Sequence, residues 1–283
     1  MNKTVWILWL QGIEQAPEIV RKCYESWVYH NSDWTVRVLS EDNIEELVPE
    51  VKDIIGGNSD VIIRPHIADL VRVNLLKKFG GVWADATLFC LRPLDDWLIP
   101  ALDENGFYMF KNPHNDKVSD NWFIAAPKGS RNMQYLAETI NSYWRNAKFY
   151  SAKFKFLNKV ITKLVVLSLS KRTPWLSQFV VHPFFHRTLK VYPYFWFHFS
   201  FNRMYYTDPG FRMFWDNNKA LPASPCLKAN HTGLKARIDE NKQLKKLIDE
   251  KAAPVLKLHK NIILSEATDT SVIHYILKTL KYE

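Results

Sequence analysis

Three short β-rich runs separated by helical periodicity occupy the first ninety residues, and this alternation constrains the fold more than any other feature. Thr4–Leu10, Thr35–Leu39 and Val82–Phe89 read as strands. Between them, Pro17 sits where a first helical turn begins, and Ile19, Val20, Cys23, Trp27 and Val28 recur on one helical face. Ser40 followed by Glu41 and Asp42 is a helix start with acids in its first turn. A third helical period runs from Arg64 to Leu76 and is stopped by Gly80-Gly81. Strands joined through helices predict a mostly parallel sheet, with ligands at the carboxyl ends of its strands.

The middle of the chain continues the pattern. Phe107–Lys111 and Trp122–Ala126 read as strands, and Arg131–Ala147 as a helix. Farther on, Leu234–Lys251 reads as a charged helix and Val255–His259 as a last short strand. Asp95-Asp96 read as a solvated turn after Pro93, and His66 as a helix-start residue. A length of 283 residues suits one large domain with an excursion. With 47% apolar and 24% charged residues, general disorder is excluded. Cys23, Cys90 and Cys226 are far apart, which excludes a disulfide scaffold and a cysteine zinc cluster and fits a reducing compartment. The apolar run Val5–Leu10 is too short for a signal segment or a membrane span, so the expectation is a cytoplasmic protein.

The net charge of +9 is unevenly placed. Residues 148–212 hold eleven Lys or Arg and a single acid, Asp208, together with 18 of the 40 aromatics. That segment alone carries +10, and the rest of the chain sums to −1. A basic, aromatic stretch inside a balanced protein points to an anionic partner. Lysines alternate with apolar residues from Lys148 to Lys171, as in a helix lying on an anionic membrane; a core helix with snorkelling lysines fits equally. The run Tyr192–Phe199, which includes Trp196, reads as part core and part acceptor wall.

Chemistry concentrates in Gly80-Gly81-Val82-Trp83-Ala84-Asp85-Ala86-Thr87. On an extended strand Asp85 and Thr87 share a face, and a carboxylate beside a hydroxyl suits Mg²⁺ or Mn²⁺ bridging a diphosphate. A strand-terminal Asp that caps a turn is the other reading. Asp69 and Arg72 are three apart on a helix and occupy one face. They could hold sugar hydroxyls and phosphate, or form a solvated surface pair.

Taken together, Pro65-x-x-Ala68-Asp69-x-x-Arg72 and Lys77-x-x-Gly80-Gly81-Val82-Trp83-x-Asp85-Ala86-Thr87 resemble the donor-sugar and metal region of the DXD-type capsular polysaccharide glycosyltransferases, relatives of glycosyltransferase family 32. Similarity extends to Ile7–Gly12 with Ala16–Val20, to Asn121–Pro127, and to Pro254–Lys260. It covers residues 1–147 and 250–262 and is weak across the basic aromatic segment.

The resemblance implies an α/β, Rossmann-like GT-A fold over residues 1–283. Residues 148–212 would form an added helical, acceptor- or membrane-facing excursion. It further implies a metal-dependent hexosyltransferase using Mn²⁺ or Mg²⁺. The donor would be a nucleotide sugar, UDP-linked by analogy, transferred with retention. The acceptor would be a growing capsular or exo-polysaccharide, or a polyprenyl-diphosphate-linked saccharide at the inner face of the cell membrane.

Carried onto this chain, Trp9, Gln11 and Gly12 would line the base site, and Asp69 and Arg72 would contact the donor sugar. Asp85 would sit at the metal and ribose, with Thr87 and His259 completing the metal site. Lys257 and Lys260 would neutralise the leaving group. Thr87 departs from the second Asp of the wider family pattern, which weakens the metal site. Asp120 and Asn121 fall near the expected reaction centre, Asp120 as a candidate for the acceptor hydroxyl. Trp122 and Trp196 are candidates to pack on an acceptor sugar. A non-catalytic relative that docks on membrane or scaffold is the alternative. Nucleic-acid binding rests on charge alone, with no recognised motif.

Overall fold

The computed structural model describes all residues except 103–105, 115, 146, 148, 150–155, 157–158, 161–162, 165–172, 191 and 281–283. Its centre is a five-stranded sheet built from β1 (Thr4–Leu8), β2 (Thr35–Leu39), β3 (Gly81–Ala84), β5 (Tyr108–His114) and β6 (Lys117–Ala126), in the order β2-β1-β3-β6-β5. β1 pairs in parallel with both β2 and β3, while β6 runs antiparallel to β3 and to β5. The expected α/β architecture with a mostly parallel sheet is therefore present. β4 (Leu88–Cys90) and β7 (Val255–Lys257) form a second, two-stranded antiparallel sheet.

Helices cover both faces, and two short ones, α2 (Glu41–Leu47) and α3 (Glu50–Ile55), follow β2. On one side α1 (Glu18–His30) packs Ile19, Val20, Cys23 and Trp27 against Val5, Ile7, Phe89 and Phe123, while the Trp27 indole donates to the Leu88 carbonyl at 2.9 Å. On the other side lie α4 (Arg64–Phe79) and α6 (Arg131–Arg145), joined by a buried amide pair between Asn74 and Asn141 at 2.8–2.9 Å. Helix α4 is buried nearly all round from Asp69 to Leu76, so it runs through the interior. Two glycines permit its exit. Gly80 caps the helix at φ +67°, and a Cβ there would lie 2.4 Å from the Lys128 amide nitrogen. Gly81, at φ +102°, would place a Cβ 2.6 Å from the Thr4 carbonyl.

Several sequence expectations change. Val82–Phe89 is not one strand: it breaks after Ala84, and Asp85–Thr87 form a turn between β3 and β4. The shared-face argument for Asp85 and Thr87 therefore fails, because the chain leaves one sheet for another there. Asp95 and Asp96 open α5 (Leu94–Ala101) instead of a free turn, Asp95 pairing with Lys3 at 2.7 Å and accepting from Trp34. The charged helix shortens to Lys242–Asp249, since residues 233–241 are turns tied to Thr270–Ile273 by backbone hydrogen bonds.

The membrane-helix reading of residues 148–171 lies largely outside the described residues. Of the described ones, Phe156, Lys159, Val160, Lys163 and Leu164 are helical and exposed. No helix among the described residues is long and apolar enough to cross a membrane.

Candidate functional site

The carboxyl ends of β1 and β3 open into a cleft of about 400 Å³. Four distant segments supply its charged groups: α4, the β3–β4 turn, β6, and the end of β7. Helix α4 presents Asp69 and Arg72 inward, at 9% and 6% side-chain exposure, so they are no surface pair. Pro65 stands in the first turn of that helix, and His66, which follows it, also lines the cleft.

Asp85 is the hub. Its Oδ2 accepts from Lys257 Nζ at 2.7 Å, and its Oδ1 accepts from the Trp83 indole at 3.0 Å and lies 3.4 Å from Arg72 Nη2. Lys257 reaches it because β7 pairs with β4 and the Leu258 amide donates to the Thr87 carbonyl at 2.8 Å. On the other flank the Asp85 amide donates to the Trp122 carbonyl at 2.9 Å. Arg72 donates through Nη1 to the Asn121 carbonyl at 2.5 Å and lies 3.3 Å from Asp69 Oδ1. Its guanidinium also stands 5.0 Å from the Trp83 ring, a desolvated cation–π contact worth about 2 kcal/mol. Asn121 donates its side-chain amide to Asp69 Oδ1 at 2.8 Å. Two carboxyl groups and two cations are thus interlocked.

Burial alone would raise both acids, and their partners separate them. Lys257 and Arg72 outweigh burial at Asp85 and hold its carboxyl below the usual range. Asp69 is pushed up by burial to about 7, with Arg72 opposing and Asp85 reinforcing. The folded state therefore holds a proton on Asp69 that the unfolded chain releases near pH 4. By linkage this contribution to stability is full below pH 4 and is lost as pH rises towards 7. Asp69→Asn is expected to flatten that slope. Denaturant titrations between pH 4.5 and 8 measure it, and an unchanged slope would remove Asp69 as its source.

The opposite wall carries Lys117, Asp120, Trp122, Tyr194, Phe195 and His198. Asp120 Oδ1 lies 3.6 Å from His198 Nε2, both groups being buried. Burial pulls the His198 imidazole below its ordinary value despite Asp120 beside it. Trp9 stands at the end of β1 with its indole N–H unpartnered among the described residues.

The cleft therefore gathers Trp9, Asp69, Arg72, Asp85, Thr87, Asp120, Asn121, Trp122 and Lys257. It does not gather all the sequence candidates. Gln11 and Lys260 are exposed, Gly12 is half-buried, and none of the three lines the cleft. His259 is likewise exposed and outside the cleft, accepting from the Asn261 amide through Nδ1 at 3.2 Å. Trp196 is fully buried, stacked on Tyr143 at 5.2 Å, and belongs to the core instead of an acceptor wall. Sequence reasoning gave no role to Lys117 and singled out none of Tyr194, Phe195 and His198, which fall in the run Tyr192–Phe199 that reads as part core and part acceptor wall. The pattern of that run does not say which of its residues turn to the cleft; Lys117 opens β6, and its depth depends on Phe195 folding over it.

No group of three His, Cys, Asp or Glu side chains among the described residues could hold a metal ion. One carboxylate, already paired with Lys257, and one hydroxyl do not make a site for a resident ion. Hard oxygens of this kind do suit Mg²⁺ or Mn²⁺ that arrives on a diphosphate and keeps most of its ligands there.

A family model described as capsular polysaccharide synthesis protein matches residues 1–173. Glycosyltransferase afumC of Aspergillus fumigatus is 31% identical over 164 residues, 52% of this chain and 41% of that protein. O-glycosyltransferase braB of Annulohypoxylon truncatum is 28% identical over 165 residues, 52% of this chain and 38% of that protein. The chain thus spans about two fifths of the length of these relatives. Among solved structures, PaToxG glycosyltransferase aligns over 99% of this chain and 86% of its own, at 12% identity and a TM-score of 0.43.

Proposed function

The chain belongs to the capsular polysaccharide synthesis protein family, and on that footing we propose that its cleft is the active site of a GT-A glycosyltransferase. The reaction is transfer of a hexose from a nucleoside diphosphate sugar to a saccharide hydroxyl. The observation that carries this reading is the Asp69–Arg72–Asp85–Lys257 cluster, assembled from three separated segments at the carboxyl ends of the parallel strands. Such an arrangement has no need to be so polar and so buried for stability alone.

In transfer the anomeric C–O bond breaks and its electron pair stays on the diphosphate, while the acceptor oxygen bonds to the anomeric carbon and its hydroxyl proton passes to the leaving diphosphate. Lys257 and Arg72 are the cations available to the charge that develops on the diphosphate. They are preorganised by Asp85, so little reorganisation accompanies the reaction. Asp69 and Asn121 offer acceptors and a donor to sugar hydroxyls, and Trp9 offers a ring to the nucleotide base. Asp120, which lines the same cleft, is the carboxylate available to an acceptor hydroxyl.

UDP as the nucleotide and retention at the anomeric carbon follow from the family resemblance. Mg²⁺ or Mn²⁺ would be held by Asp85 and Thr87 together with the diphosphate, and when bound it neutralises the leaving group. An acceptor on a lipid carrier at an anionic membrane is supported by the exposed Phe156, Val160 and Leu164 beside Lys159 and Lys163.

A panel of UDP-, GDP- and CMP-sugars, followed by thermal unfolding and then by donor hydrolysis, tests the reading. One class of nucleotide sugar is expected to raise the midpoint and to be hydrolysed slowly without acceptor. No stabilisation and no hydrolysis across the panel would overturn it. The metal has its own signature: Mn²⁺ alone is expected to leave the midpoint unchanged, whereas nucleotide with Mn²⁺ raises it above nucleotide with EDTA. A shift from Mn²⁺ alone would show a resident site instead.

A further inference from the structure

Lys117 is a largely buried side chain whose ammonium opens to the cleft without a counter-ion. It opens β6, is 7% exposed, and among the described residues forms no ion pair and no hydrogen bond. Its ammonium lies 3.8 Å from the centroid of the Phe195 ring and faces the cleft. A ring face is a weak substitute for the hydration an ammonium loses on burial, and burial lowers the Lys117 pKa although Asp120 and Asp116 oppose it. Asp120, the nearest acid in the cleft wall, is turned to His198. Beside the lysine, Tyr194 and Phe195 are 58% and 38% exposed and stand edge to face at 87°, an apolar corner against which a sugar ring can pack. Tyr194, Phe195 and His198 lie outside the 1–173 family match, and Lys117 lies within it.

We infer that Lys117, with Tyr194, Phe195 and His198, forms an acceptor subsite for a saccharide carrying an oxyanion next to its accepting hydroxyl. The oxyanion is either the carboxylate of an acidic sugar or a phosphate on the sugar. It supplies the acceptor that Lys117 lacks, while the ring packs against the Tyr194–Phe195 corner and the hydroxyl meets Asp120. This substrate class rests on the transferase reading, but its binding does not require a nucleotide donor, so the two can fail separately.

The test is calorimetric binding of methyl glucoside, methyl glucuronide and glucose 1-phosphate to the full chain without nucleotide. At least one of the two anions is expected to bind about tenfold or more tightly than methyl glucoside, the worth of one charge-assisted hydrogen bond. Which of the two does so distinguishes the carboxylate source from the phosphate source. Lys117→Met is expected to erase the discrimination and Lys117→Arg to retain most of it. Lys257→Met, at the other end of the cleft, is expected to leave it in place. Should Lys117→Met not fold, Lys117→Gln gives the same comparison with a neutral, hydrogen-bonding side chain. Equal binding of all three sugars by the unaltered chain would overturn the inference. So would discrimination that survives loss of the Lys117 charge, or that disappears with Lys257 instead. Donor hydrolysis with no anion preference would sink this inference alone. Anion preference with neither stabilisation by a nucleotide sugar nor donor hydrolysis would sink only the transferase reading.

Discussion

Asp85→Ala is expected to lower the rate of sugar transfer on the order of 10²–10³-fold, the range for loss of a preorganised electrostatic group in an active site. The effect has two parts. Asp85 fixes Lys257 at 2.7 Å and helps hold Arg72 at 3.4 Å, so without it both cations lose their placement towards the diphosphate. It is also the carboxylate that a substrate-borne divalent ion would meet. Loss of stability should be modest by comparison. Asp85 is 27% exposed, Arg72 retains Asp69, and Lys257 at 20% exposure can turn to water. Asp85→Asn separates these contributions, since the amide keeps the shape and an acceptor for Trp83 but not the charge. Steady-state donor hydrolysis and unfolding midpoints of both variants decide the matter. A variant that keeps more than half of the original rate while folded would place the chemistry elsewhere.

Asp85 also marks where sequence reading reached its range. The residue was legible because a carboxylate behind two glycines and a strand is a local pattern. Its conformation was not, because the break after Ala84 is imposed by a partner: β4 leaves the main sheet to pair with β7, so Leu88 lies opposite Lys257. Asp69 and Arg72 were legible as a pair on one helical face, since helical spacing is local. That they are buried instead of solvated depends on α6 and on β6 closing over α4, which no spacing records. Lys257 was expected near the leaving group by resemblance, and β7 explains its reach. His259, two residues farther, is past the paired segment and turns to solvent. Trp196 and His198 come from one aromatic run, yet the first enters the core and the second the cleft. Hydrophobic runs carry burial but not address.

Arg72→Met is expected to destabilise the fold by about 3–5 kcal/mol, the range for removing one partner from a buried ion pair. Arg72 is 6% exposed and is shared by Asp69, Asp85, the Asn121 carbonyl and the Trp83 ring, so methionine can replace only its packing. What remains is a buried Asp69 beside an ionised Asp85 with the intervening cation gone. Asp69 already titrates high because burial outweighs Arg72. Without Arg72 its pKa moves higher still, and the folded state must bind a proton over a wider range of pH. The loss of stability is therefore expected to be larger at pH 8 than at pH 5. Denaturant unfolding at both values measures this. The double variant Arg72→Met with Asp69→Asn should recover part of the loss at pH 8, since it removes the charge left without a partner. Residues in one buried network couple in this way, and simple additivity of the two substitutions would mean that Arg72 does not stabilise the ionised Asp69.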